Sequence, residues 1–323
     1  MKKLFSLLTV LFLSFNSFAE TDDELFHLSL SPLISLKNGT IGEHLYTNVS
    51  GSYKQLSRLD WDLENIFYTG GKADFSYKNF LFDFSSLFLI PKDSGRMQDS
   101  DWMGITSGFT EKTTYSISEN SLSKGFSLSS TFLYDLDIAS FFSFRPGVGL
   151  EYNYYYFKAQ NGYGWYADTN SAWYDDSAIF YDKGQLGSIT LERKDFSLWV
   201  KINPVFKIRK FMEINPYFQT AALSYFSEVD NHLPVGVSSG GSYYYDSGLC
   251  YFNTNRAGLN LKINPLKTFS ITAFYSYTFT KLFLSKAYTN SENNEGPYAL
   301  LSQKSGFSQK IHECGLAFNI SFF

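Results

Sequence analysis

Two short acidic motifs are the parts of this sequence best suited to chemistry: Asp99-Ser100-Asp101 and Glu228-Val229-Asp230-Asn231-His232. In an extended chain residues i and i+2 point to the same side, so Asp99 and Asp101 would face one way, as would Asp230 and His232. Two carboxylates held together raise the proton affinity of one of them, and a carboxylate beside an imidazole raises its pKa and fixes its orientation. A water held between the two pairs could be deprotonated and sent at a carbonyl carbon. Either motif alone is a weak signal, because surface segments are rich in Asp and Asn; their joint occurrence carries the weight. His27, His44 and His312 are read as incidental.

The elements that must hold these pairs are strands. Apolar and polar residues alternate with period two at Leu28, Leu30, Pro32 and Ile34, at Phe80, Phe82 and Phe84, at Leu198, Val200 and Ile202, at Leu259, Leu261 and Ile263, and at Leu316, Phe318, Ile320 and Phe322. No amphipathic helical stretch competes with them. Short connections near Lys78-Asn79, Asp137 to Ala139, Lys207 to Lys210 and Asn264-Pro265 alternate with longer polar ones near 38–49, 92–112, 160–186, 228–244 and 286–306. Four tight turns and five long connections join ten strands up and down, with every long connection at one end.

Phe, Tyr and Trp make up 19% of the chain, yet beyond its first residues no segment is apolar for long enough to cross a bilayer as a helix. A membrane protein of that composition should be a closed barrel, because an open sheet edge in lipid leaves backbone groups unpaired at several kcal/mol each. The last strand should therefore pair with the first, near 25–37. A soluble β-sandwich is the competing fold, but the length and the Tyr and Phe content of Ile271 to Phe283 and Phe141 to Phe157 suit interfacial girdles better. The expected fold is all-β: a ten-stranded, antiparallel, up-and-down transmembrane β-barrel with long extracellular loops, whose long-loop end faces outside.

Residues 1–19, with Lys2 and Lys3 ahead of an apolar run and small residues at Ser17 and Ala19, have the build of a secretory signal peptide, leaving 20–323 as the barrel domain. Without those two lysines, 25 of the 27 Lys and Arg remain against 31 acids, a net of −6, which excludes a nucleic-acid binder by charge. Cys250 and Cys314 are too few to staple a chain of this length. Their expected strands are separated by another, so both should be free thiols.

Three segments carry a resemblance, two of them around the motifs above. Leu56-Ser57-Arg58-Leu59-Asp60-Trp61 fits an S-x-L-D-W pattern, Met97-Gln98-Asp99-Ser100-Asp101-Trp102-Met103 fits D-x-D-W-M, and Asp230 to His232 supplies Asp-x-His. In these the chain resembles the omptin family of outer-membrane proteases, over nearly the whole of the mature sequence. The resemblance implies an endopeptidase cleaving at Arg or Lys, including dibasic sites, in the outer membrane. It implies catalytic roles for Asp99 and Asp101 as an acid couple and for Asp230 and His232 as a dyad, with an attacking water and no metal. It also implies that Glu43 and Glu228 line a pocket for the basic residue before the scissile bond and that Glu111 serves the leaving side. Members of the family need lipopolysaccharide, held by basic residues on the barrel wall. Here Tyr154 stands where an Arg is expected, and Arg193 with Lys194 is the remaining basic cluster.

Other functions fit less well. A barrel lipase needs a Ser near a His, yet Leu233-Pro234 follows His232 and no G-x-S-x-G occurs. A zinc site wants three ligands, and only His232 sits among acids. A non-catalytic barrel, a porin or an adhesin, remains open; the aromatic segments Asn161 to Tyr166 and Ser242 to Tyr245 would suit adhesion.

Overall fold

The computed structural model describes residues 26–103, 108–167, 178–209, 211–236, 240–266, 268–290 and 299–322; the expected signal peptide lies outside them. The chain runs as ten strands: β1 (Phe26–Val49), β2 (Ser52–Tyr77), β3 in two runs (Phe80–Leu89 and Lys92–Asp101), β4 (Thr114–Tyr134), β5 (Gly147–Tyr166), β6 (Ser188–Ile202), β7 (Met212–Leu233), β8 in two runs (Ser242–Cys250 and Thr254–Leu266), β9 (Phe269–Asn290) and β10 (Ala299–Ser321). Every neighbouring pair is antiparallel, and β10 returns to β1 from Ser29 opposite Ser321 up to Tyr46 opposite Lys304, so the sheet closes on itself. Short runs at Leu136–Ala139, Phe142–Phe144 and Pro204–Ile208 lengthen the sheet at the tight-turn end.

The alternation read from the sequence sets the outer face of the lower half. Phe80, Phe82, Phe84 and Phe88, Leu198, Val200 and Ile202, and Leu316 and Ile320 are all exposed, forming the apolar band that a lipid-facing barrel wall requires. On β6, β7 and β8 that band reaches up to Phe196, Tyr225 and Leu249. The inward residues at that depth are polar and bonded to each other across strands. Ser197 and Ser224 hydroxyls lie 3.0 Å apart, Thr254 and Thr280 3.0 Å, and Gln309 donates to Thr280 at 3.0 Å. Arg256 grips Glu151 with two bonds of 2.6 and 2.8 Å, and Lys37 lies 3.9 Å from Glu313.

Higher up the lumen turns apolar. Ile41, Trp61, Leu63, Ile66, Met97, Leu122, Phe157 and Leu191 are buried there as one apolar cluster, and Phe226 and Phe307 form a second. At this level buried side chains close the lumen.

The strands rise well beyond the apolar band, and this corrects the expected connections. Residues 38–49, 92–101, 160–166, 228–233, 242–244, 286–290 and 299–306 are strand, not loop. Above the band both faces meet water or a polar cleft, so the period-two contrast that marks a half-buried strand disappears although the backbone pairing continues. In β3 the register slips between Asp93 and Gly95, where Gly95 takes φ +97° and a side chain would run into Asp62 and Glu64.

Candidate active site

Asp99 and Asp101 lie at the top of β3, between β2 and β4. Both are buried, at 7% and 8% exposure. Pleating sends them inward and Ser100 outward, where the Lys112 ammonium donates to its hydroxyl at 3.0 Å. Met97, two residues below on the same face, belongs to the apolar cluster, so the acid couple stands on a dry floor.

Asp230 and His232 end β7 on the far side of the ring. His232 Nε2 lies 2.6 Å from Asp230 Oδ2, and Tyr244 packs edge-on to the imidazole with centroids 5.5 Å apart. With the imidazole neutral, Nε2–H donates to Asp230, and Nδ1 keeps the lone pair that can accept a proton. The four side chains sense one another across the cleft. Burial, then Asp101 and Asp230, hold the Asp99 carboxyl well above the usual carboxylate range, with His232 opposing; burial also raises Asp101, against a hydrogen bond from Ser57 and the charge of His232.

Burial works against the charge on His232, but Asp230 first, then Asp99 and Asp101, outweigh it and push the imidazole up to about 9. The side chain is still 41% open to the cleft, so solvent there screens part of this; three carboxylates around one imidazole fix the direction. The cluster therefore shares its protons, and a proton taken by Asp99 lowers the pull on His232.

Below Asp230 lies a second acidic group. Glu43 on β1 and Glu228 on β7 are buried at 7% and 1%, and each has one carboxylate oxygen, Oε2, without a hydrogen-bond partner among the described residues. Glu228 Oε1 accepts from Arg193 Nη1 at 2.8 Å. The structure thus brings six of the seven candidate residues to one cleft. Glu111 is half-buried in the connection from β3 to β4, two residues before Thr113, and makes no hydrogen bond or ion pair to the other six among the described residues.

A model of the Omptin family matches residues 26–321. The chain belongs to the Omptin family. Among solved structures, the outer-membrane protease OmpT of Escherichia coli is similar at 15% identity, with 92% of this chain and 97% of that one covered and a TM-score of 0.77. At that identity the likeness speaks for the fold. The attachment protein Ail of Yersinia pestis (13% identity, 90% and 98% covered, TM-score 0.27) and the translocator domain of NalP from Neisseria meningitidis (10%, 90% and 88%, 0.32) are too distant in structure to support an argument. A search of curated proteins returned no match.

As a member of that family, this omptin is an outer-membrane β-barrel protein. One expectation for its wall needs correction. Arg193 was expected to share a basic outer cluster with Lys194, but it is fully buried inside the barrel, bonded to Asp195 and Glu228, each at 2.8 Å. Lys194 alone faces out, paired with Glu192 at 2.7 Å and opposite Tyr154. The parity of β6 carries the reason: Phe196, Leu198 and Val200 face lipid, so the odd-numbered Arg193 must face in. That signal was present in the sequence, but Arg193 lies above the alternating stretch. Asp246 on β8, directly opposite Glu228, was also missed, because nothing in a lone acid after three tyrosines announces its partner.

Proposed function

We propose that this omptin is an endopeptidase that cleaves beside basic residues. The observation carrying the reading is the Asp230–His232 pair, bonded at 2.6 Å, facing two buried carboxylates across a cleft in a chain of this family. In this reading His232 takes the proton of a water held between Nδ1 and Asp99, and the hydroxide attacks the scissile carbonyl. Asp230 orients the imidazole and stabilises its charged form. Asp101 shares the excess charge and fixes Asp99 against it. The imidazolium then returns the proton to the leaving amine.

Glu43 and Glu228 offer unpaired oxygens to the cation of the residue before the scissile bond, and a guanidinium or ammonium is the side chain that would satisfy them. Glu111 is assigned to the leaving side. The cleft faces the cell exterior, where peptide and protein substrates reach it. Lipopolysaccharide is the candidate lipid requirement, with Lys194 among the basic groups offered to it. The apolar cluster that closes the upper lumen weighs against a porin.

The test is cleavage of an internally quenched dibasic peptide by refolded protein, with and without lipopolysaccharide. Hydrolysis after Arg or Lys is expected. No hydrolysis in either arm by protein shown to be folded would return the reading to a non-catalytic barrel.

A further inference from the structure

The pocket beneath the proposed dyad contains more acid than its own cations balance, and the balance is uneven. Across β6, β7 and β8 one rung runs Arg193, Glu228, Asp246, so two carboxylates stand directly opposite each other on neighbouring strands. Like charges so placed repel. Arg193 is shared between Asp195 and Glu228, while its guanidinium lies 4.9 Å from the Phe226 ring and 5.9 Å from Phe307. It is locked into that place, and Glu228 is already its counter-ion.

Among the described residues Asp246 has no such counter-ion. It is 6% exposed and accepts from the Tyr288 backbone N–H, but the charges facing it are Glu228 and Asp230. Glu43 reaches the same pocket from β1, and its Oε2 is buried with no hydrogen-bond partner among the described residues; its charged neighbours are Asp230, Glu228 and Asp246. Burial and these neighbours hold both Glu43 and Asp246 well above the carboxylate range. A cation entering between them would let both ionise, which is a large part of what would hold it there.

We propose that Asp246, together with Glu43, is the main seat of the substrate's basic side chain, and that Glu228, with its Oε1 held by Arg193, contributes less, through its remaining Oε2. This rests on the peptidase reading for its biological meaning, but the pocket can be tested without turnover. The probe is n-butylguanidinium, a single cation on a short apolar stem, titrated into refolded protein in detergent and followed by calorimetry. Asp246→Asn and Glu43→Gln should each weaken binding about tenfold or more, the loss of one charge-assisted contact. Glu228→Gln should cost clearly less, and Glu192→Gln on the outer wall nothing.

Heat-modifiable gel mobility checks that each variant is folded. No binding by wild-type protein, or equal binding by Asp246→Asn, overturns the proposal. So does a loss in Glu228→Gln as large as in Asp246→Asn. Peptide cleavage by the same preparations separates the two ideas. Probe binding without cleavage leaves the pocket standing and the peptidase reading refuted; cleavage with an unchanged KM in Asp246→Asn does the reverse.

Discussion

His232 is the one group in the cleft whose ordinary titration lies near neutrality, so the proposed chemistry depends on it most directly. His232→Ala should lower kcat by about 10²–10⁴-fold, the usual range for removal of a general base, and Asp99→Asn should be comparably damaging because it loses the group that holds the water in line. Ser100→Ala should leave the rate near wild type, since that hydroxyl points out of the barrel toward Lys112. A histidine variant that keeps more than a tenth of the rate would sink the mechanism. The charge environment gives a second prediction. His232 is pushed up to about 9, so an active neutral imidazole is favoured by raising the pH, and kcat/KM should climb on an acid limb above the ordinary imidazole value of about 6.5. The linked stability has the opposite sense: the charged pairing is fully present below about 6.5 and is lost as pH rises through about 9. Asp230→Asn removes the largest raising charge, so an NMR titration of the imidazole should move down in that variant. An unmoved titration would show that Asp230 does not charge the ring.

At the scale of elements, the long strands explain both what the sequence disclosed and what it concealed. Phe80, Phe82 and Phe84 alternate with inward residues because one face meets lipid and the other the lumen. Above Tyr225 on β7 the outward face is wet, and the chain from Glu228 to His232 looked like a loop although it pairs with both β6 and β8. The spacing of the proposed catalytic pairs survived that misreading, since i and i+2 share a face in a strand whatever lies outside. Asp246 and the inward turn of Arg193 are facts of cross-strand pairing, and a single sequence does not print register between strands. The strand order has a chemical consequence. Cys250 on β8 is buried and Cys314 on β10 is exposed, with β9 between them, and both are free. Neighbouring strands are about 4.8 Å apart, so two intervals exceed the ~7 Å Cα limit for a disulfide. The intact mass of folded protein should not change on reduction, and a gain of two hydrogens would contradict the strand order.

For the molecule as a whole, everything depends on the seam between β1 and β10. The cleft needs it, because Glu43 comes from β1 and faces residues of β7 and β8 only when the ring is shut. The membrane needs it as well, since an unpaired edge would carry a row of N–H and C=O groups into lipid. Refolded protein in detergent should therefore give a β-type circular dichroism spectrum and migrate differently before and after boiling, as a hydrogen-bonded ring resists detergent until heated. The seam itself can be broken at one residue. Ile311 sits in the middle of β10, 6% exposed, opposite Gly39 of β1 on one side and Thr278 of β9 on the other. A proline there removes a backbone donor from the interior of a strand paired on both sides, where no edge exists to absorb the loss. Ile311→Pro should run only at the position of the boiled protein, whereas Ile311→Val, which trims one methylene and keeps the donor, should retain the folded band. If the proline variant still shows the unboiled mobility, closure does not run through this part of the seam, and the placement of Glu43 in one pocket with Glu228 and Asp246 falls with it.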